Sequence, residues 1–136
     1  MAVVSMSLSA AIVLLLGVIH LAYTFSGSKL APRDPAVRDS MSQAHPVITR
    51  QTTMWRAWVG FNASHAMGAI LFGLVYGYLA MVHSRLLFRS PFLLLVGAAM
   101  LGGLLALGKL YWFRTPFLGL AVSLALYLLG VAAFWV

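Results

Sequence analysis

The segment from residue 91 to residue 130 reads PFLLLVGAAMLGGLLALGKLYWFRTPFLGLAVSLALYLLG and contains two long apolar runs separated by a short polar stretch. A helix needs about 20 mostly apolar residues to cross a bilayer, and each run is long enough. Only the residues WFRTP, at 112–116, join the two runs. Because so short a connection makes neighbouring helices antiparallel, the segment predicts a pair of antiparallel transmembrane helices.

The remainder of the chain has the same character. Of its 136 residues, 62% are hydrophobic and 8% are charged, whereas soluble domains carry about 25% charged residues. We therefore predict an all-α integral membrane protein, built as one antiparallel transmembrane four-helix bundle. The first run is expected to be a retained span and not a cleaved signal, because no basic residue precedes it. The expected spans are residues 3–25, 55–82, 91–112 and 115–136.

The first connection, residues 26–54, is too long to be a simple turn. Within it, DPAVRDSMSQA predicts a short helix over residues 35–44. Asp34 is suited to accept a hydrogen bond as the N-cap, and Pro35 is suited to the first helical position. Apolar residues recur at helical spacing along this helix, which predicts an interfacial helix at the level of the lipid headgroups.

The distribution of basic residues predicts the orientation in the membrane. The net charge is +7, and seven of the nine Lys and Arg residues lie in or beside the first and third connections. Because basic residues flanking spans mark the cytoplasmic side, we expect residues 26–54 and 109–115 in the cytoplasm and both termini outside. The expected location is the cell inner membrane.

Composition also limits the possible partners and chemistries. The chain contains no cysteine, which excludes disulfides, thiolate metal sites and thiol catalysis. The basic residues follow the connections and do not form the pattern of a nucleic-acid-binding module, so no nucleic acid is expected as a partner. Membrane lipids are the expected partners, and a homo-oligomer or a partner in a membrane complex remains open.

Polar residues within the second span indicate where a functional site lies. The stretch TTMWRAWVGFNASHAMGAILFG, residues 52–73, places Asn62 and His65 one helical turn apart. An unsatisfied polar group in hydrocarbon costs several kcal/mol, so both side chains need partners. Antiparallel packing brings His20 of the first span to a similar depth. The candidate ligand-binding residues at the cytoplasmic end are His20, Tyr23, Asn62, His65 and Lys109.

Three functions are compatible with this cluster to different degrees. In the first, it binds a small lipidic or anionic ligand, or His20 and His65 ligate a haem iron or a divalent metal. In the second, the protein is a structural or accessory membrane subunit, and the polar residues only hold helices together. The third, an ion-coupled transporter, is disfavoured because no acidic residue lies within a span. No nucleophile–base pair is evident, so whether the protein is an enzyme stays open.

Small residues at intervals of four predict close contacts between helices, because they let two backbones approach in lipid. The second span carries two such sets and is therefore expected to be the most buried of the four. The sets are Gly60, Ser64 and Gly68, then Gly73 and Gly77, then Ala98, Gly102 and Ala106, and finally Gly119 and Ser123.

The run WRAWVGFNASHAMGAILFG at 55–73, together with IHLAYTF at 19–25, resembles an uncharacterised family of small bacterial four-span integral membrane proteins. The resemblance extends over most of the chain and is specific in the central run. It implies four spans and a bacterial membrane. Because the family has no known activity, it transfers no catalytic or binding role to any residue.

Overall fold

The computed structural model describes residues 1–136 and consists of helices and the connections between them. Four of the helices, α1, α3, α5 and α6, are long and apolar enough to cross a membrane. This confirms the prediction of an all-α fold with four spans, and the protein is a multi-pass integral membrane protein. The helices are α1 (Ala2–Phe25), α2 (Pro35–Gln43), α3 (Met54–Val82), α4 (Ser84–Arg89), α5 (Pro91–Tyr111) and α6 (Arg114–Trp135).

The short helix predicted in the first connection is present as α2. The Asp34 carboxylate accepts a hydrogen bond from the backbone N–H of Ala36 at 2.9 Å, and Pro35 occupies the first turn. The helix ends at Gln43, shortly before Pro46, and a proline restricts the residue before it to extended backbone. No residue of α2 is buried. The cap therefore makes a local contribution to its stability, and Arg38 adds a contact with the Trp55 ring at 5.0 Å.

The second connection, between α3 and α5, is short and largely helical. It forms the short helix α4, in which Leu87 and Phe88 are fully buried. The Phe88 ring stacks on the ring of Phe134 with centroids 4.7 Å apart. The two apolar side chains of the connection thus extend the core. Their burial favours a helical backbone over a simple turn in this connection.

The chain divides into two compact units, and the larger one comprises residues 1–16 and 69–136. In this unit, parts of α1, α3, α5 and α6 pack around one apolar core. The phenol of Tyr76 on α3 donates to the Leu93 carbonyl at 2.6 Å. The phenol of Tyr127 on α6 donates to the Leu94 carbonyl at 2.8 Å. Two tyrosines from different helices therefore hold the first turn of α5.

Close helix contacts in the larger unit involve some of the predicted small residues. A Cβ atom at Gly73 would lie 2.6 Å from the Leu14 Cβ and 2.8 Å from the Ala10 carbonyl oxygen. Gly119 faces Leu16 in the same way, at 3.0 Å. Ser123 is fully buried. The packing roles predicted for Gly73, Gly119 and Ser123 are therefore confirmed.

Parts of two other predicted packing faces are wrong. Gly60 and Ser64 are exposed, and a Cβ atom at Gly60 or at Gly102 would meet nothing within 4 Å. On α5 the glycines that pack are Gly97 and Gly108. Small residues at a regular interval permit a close contact on a face but do not select that face. The second span is the most buried of the four, as expected. In an apolar 18-residue stretch of α3, 33% of the residues are buried, the highest share among the four spans.

Candidate functional site

The smaller compact unit, residues 17–68, holds the polar cluster that the sequence indicates. It consists of the last turns of α1, the first connection with α2, and the first half of α3. Because α1 and α3 run antiparallel here, His20 and Asn62 reach the same level, and the His20 Nε2 lies 3.0 Å from the Asn62 Oδ1. This hydrogen bond joins residues 42 positions apart in the chain.

His65 completes the cluster from the next turn of α3. Its ring meets the ring of His20 edge to face, with centroids 5.3 Å apart and planes at 79°. His65 follows Asn62 by three positions, the spacing at which side chains of one helix face share neighbours. His20, Asn62 and His65 are all partly buried. Two imidazoles and a carboxamide therefore form one continuous polar group within two membrane-spanning helices.

Hydrogen bonds determine the orientation of the Asn62 amide and the proton position on His20. The Asn62 Nδ2 donates to the Trp58 carbonyl at 2.9 Å, which directs Oδ1 towards His20. A carbonyl oxygen only accepts, so the His20 Nε2 carries the proton of this bond. In the neutral ring the Nδ1 is then unprotonated and is an acceptor. The Asn62 Oδ1 has a second lone pair, at which the cluster can accept a hydrogen bond from a hydroxyl group.

A small cleft adjoins the cluster, and Asn62 belongs to its wall. Its volume is about 30 Å³, which is room for a water molecule or a single hydroxyl group. The Trp58 indole N–H donates to the Leu30 carbonyl at 3.0 Å and ties the first connection to α3 at the cleft. The remaining lining residues are Tyr23, Thr24, Gly27, Ala31, Trp55 and Val59.

A cation flanks this cleft. The Lys29 ammonium lies 5.8 Å from the centroid of the Tyr23 ring, within the range of a cation–π interaction. Thr24 is tied to the cluster, because its hydroxyl donates to the His20 carbonyl at 2.8 Å. The cleft wall thus combines aromatic rings, hydroxyls and an amide, with a positive charge beside it.

The residues of the cluster do not fit a haem or a closed metal site. Nowhere in the chain do three or more His, Cys, Asp or Glu side chains form a group able to hold a metal ion, and protein zinc sites use three or four such ligands. The direct contact between the rings of His20 and His65 leaves no space for a porphyrin between them. The metal and haem hypotheses therefore gain no support from this geometry.

The five predicted ligand-binding residues have different positions. His20, Asn62 and His65 come together, and Tyr23 lines the adjoining cleft. Lys109 is an exposed residue near the end of α5 and belongs to the larger unit. The cation beside the cleft is instead supplied by the first connection.

Trp58 is a contributor that the sequence does not assign to the cluster, since tryptophan near the end of a span is typical of the aromatic belt. Its carbonyl holds the Asn62 amide, and its indole holds Leu30. The interval of four residues between Trp58 and Asn62 indicates the first contact. The second depends on the path of the connection and has no local signal.

Comparison of the chain with protein-family models, with curated proteins and with solved structures finds no match.

Proposed function

We propose that this protein is a bacterial inner-membrane protein, a member of the small four-span family that it resembles, and that it binds an anionic lipid with a hydroxyl-bearing headgroup. In this proposal residues 26–54 and 109–115 face the cytoplasm and both termini lie outside, in keeping with the excess of basic residues in those connections. The binding site is the cluster of His20, Asn62 and His65 with the cleft beside it.

The observation that carries this proposal is the hydrogen-bonded pair of His20 and Asn62 at the edge of a hydroxyl-sized cleft. Polar residues inside spans are functional candidates by default, because lipid penalises them. The Asn62 amide lines the cleft, and its Oδ1 accepts a hydrogen bond from the His20 ring. A headgroup hydroxyl can donate to the second lone pair of this oxygen and matches the size of the cleft.

The surroundings of the cleft suit the remainder of such a lipid. Lys29 provides a positive charge for the phosphate group, at the side of the cleft formed by Tyr23. Val18 and Ile19 lie about one turn before Tyr23 in α1. They are 49% and 40% exposed and offer an apolar surface to acyl chains. In this proposal, the smaller unit contacts the headgroup hydroxyl, the phosphate group and the acyl chains of one anionic lipid.

The test is lipid binding to purified protein by native mass spectrometry, with phosphatidylglycerol, phosphatidylcholine and soluble glycerol 3-phosphate as separate ligands. We expect phosphatidylglycerol to bind more tightly than phosphatidylcholine. His20→Phe or Asn62→Leu should weaken that binding about five- to tenfold, which corresponds to the loss of a hydrogen bond of about 1–1.5 kcal/mol. Binding of glycerol 3-phosphate without the lipid would identify a soluble metabolite as the ligand.

His83→Gln is the matched control. His83 is an exposed histidine that contacts Tyr78, so the change removes an imidazole without touching the cluster. Equal lipid affinity in the wild type, His20→Phe and Asn62→Leu would contradict the proposal.

A structural role is the second candidate, and one observation favours it. Both polar atoms of the Asn62 amide have partners within the protein, one on α1 and one on α3. The bond to His20 joins two helices, and such interhelical hydrogen bonds contribute about 0.6 kcal/mol each on average. If the cluster is purely structural, His20→Phe lowers the thermal stability and leaves lipid binding unchanged.

A further inference from the structure

The first connection carries an apolar surface that the polar cluster does not use. Val47 and Ile48 are adjacent apolar residues with side chains 108% and 92% exposed. They form the tip of a turn in which the Thr49 N–H donates to the Pro46 carbonyl at 3.2 Å. Turn tips in water ordinarily carry small polar residues. Two branched apolar side chains at this tip require a nonpolar surrounding.

The tip is held in place by a closed neck. The Met54 N–H donates to the Ala44 carbonyl at 2.9 Å, and the His45 Nδ1 lies 2.8 Å from the Thr52 carbonyl oxygen. These two hydrogen bonds join the start and the end of the loop. Since Met54 is the first residue of the membrane-spanning helix α3, the neck is attached directly to the end of a span.

An apolar groove continues from this neck along α2. Ala44 and Met54, which close the neck, also line the groove, and Val37 and Met41 of α2 form the rest of its apolar wall. Val37 is 46% exposed. The tip and the groove are both attached to this neck at the end of α3, and together they are named the loop surface.

Charge indicates what covers the loop surface. Residues 26–54 contain four basic and two acidic side chains, and Arg50 follows the tip by two residues. Apolar side chains flanked by basic residues, next to a membrane span, have the composition of segments that lie in the headgroup region of anionic membranes. A soluble partner would have to reach the same surface past the lipid headgroups that surround the span.

We propose that the loop surface docks onto the anionic lipid leaflet that surrounds the spans, with Val47 and Ile48 inserted among the acyl chains and Arg50 at the phosphate level. This docking is independent of lipid binding at the polar cluster, since the two surfaces share no residue. It holds the first connection against the membrane beside the cleft.

The absence of cysteine from the chain permits a direct test with single spin labels. Val47→Cys, Ile48→Cys and the control Gln43→Cys are labelled in proteoliposomes of phosphatidylcholine with phosphatidylglycerol. Gln43 is exposed and lies on the other side of α2 from Met41 at 100° per residue. We expect labels at 47 and 48 to be several times more accessible to oxygen than to a water-soluble nickel reagent, and the label at 43 to show the reverse.

In vesicles of phosphatidylcholine alone, the labels at 47 and 48 should lie closer to the water. Equal depth in both lipids would overturn the assignment of an anionic leaflet. Free access of the nickel reagent to both labels would overturn docking altogether. Spin–spin broadening at 48 that disappears on dilution with unlabelled protein would show that a second copy of the chain covers the surface instead.

Discussion

The two compact units use small and polar residues in opposite ways. In the larger unit, Gly73 and Gly119 lie at helix contacts, and Ser9 and Ser123 are both fully buried with their hydroxyls 2.9 Å apart. In the smaller unit, Gly60 and Ser64 are exposed, whereas the partly buried polar groups are large side chains beside a cleft.

This contrast distinguishes polar residues that hold helices together from polar residues that are available for binding. The Ser123 hydroxyl also donates to the Ser9 carbonyl at 3.1 Å. The hydroxyl groups of both serines are therefore hydrogen-bonded inside a buried contact between helices. The Asn62 amide also has two partners, but it borders space that a ligand atom can enter. The two sets of polar residues therefore differ in whether a ligand can reach them, and not in polarity.

The largest expected effect tests the contrast between the two sets of glycines. Gly73→Ala places a Cβ atom 2.6 Å from Leu14 and 2.8 Å from a backbone oxygen, and such overpacking costs about 1–3 kcal/mol. Gly60→Ala meets nothing within 4 Å and should stabilise α3 by about 0.5–1 kcal/mol through its higher helix propensity. Thermal unfolding in detergent, followed by circular dichroism, measures both changes.

If Gly60→Ala destabilised the protein as much as Gly73→Ala, the exposed face of α3 would have to be covered in the membrane. An oligomer would then be indicated, and the comparison between the units would fail for this face.

An intermediate effect is expected for the buried serine pair. Ser123→Ala removes two interhelical contacts and should lower the free energy of unfolding by about 0.6–1.7 kcal/mol, the range measured for hydrogen bonds between membrane helices. Ser64→Ala is the matched control, because its hydroxyl donates only within α3, to the Phe61 carbonyl at 3.0 Å. The same unfolding measurement should find the control close to the wild type, and a loss equal to that of Ser123→Ala would count against the distinction.

The smallest effect is local to the smaller unit. Asp34→Ala removes the cap of α2, a loss of about 1 kcal/mol, and should speed amide exchange over residues 36–43 about fivefold. Because no residue of α2 is buried, the global unfolding temperature should not change. Amide hydrogen exchange in nanodiscs, read by mass spectrometry, reports the difference.

Asp39→Ala removes the same charge from the same helix without removing the cap, and it should leave the exchange rate as in the wild type. Faster exchange in both variants would attribute the effect to charge instead of capping.

The sequence predicted the central side chains of the site better than it predicted the full set of residues around them. His20, Asn62 and His65 carried a clear signal, because polar side chains within apolar runs must find partners. Lys109 stays a prediction, because it lies in the larger unit and a basic residue at the end of a span also has the lipid headgroups as partners. By sequence, Trp58 is typical of the aromatic belt. Its contact with Leu30 has no local signal, because it depends on how a long connection folds back.

Run length and hydropathy alone establish four spans, since a helix must satisfy its own backbone groups over about 30 Å of hydrocarbon. Capping residues likewise locate α2 from local chemistry. Which face of each helix packs, and which polar side chains meet, emerges only when the helices are assembled. Lipid tails are as apolar as leucine, so the face turned to lipid and the face turned to protein have the same hydropathy. Gly60 and Gly73 look alike along the chain, and only the neighbouring helix tells them apart.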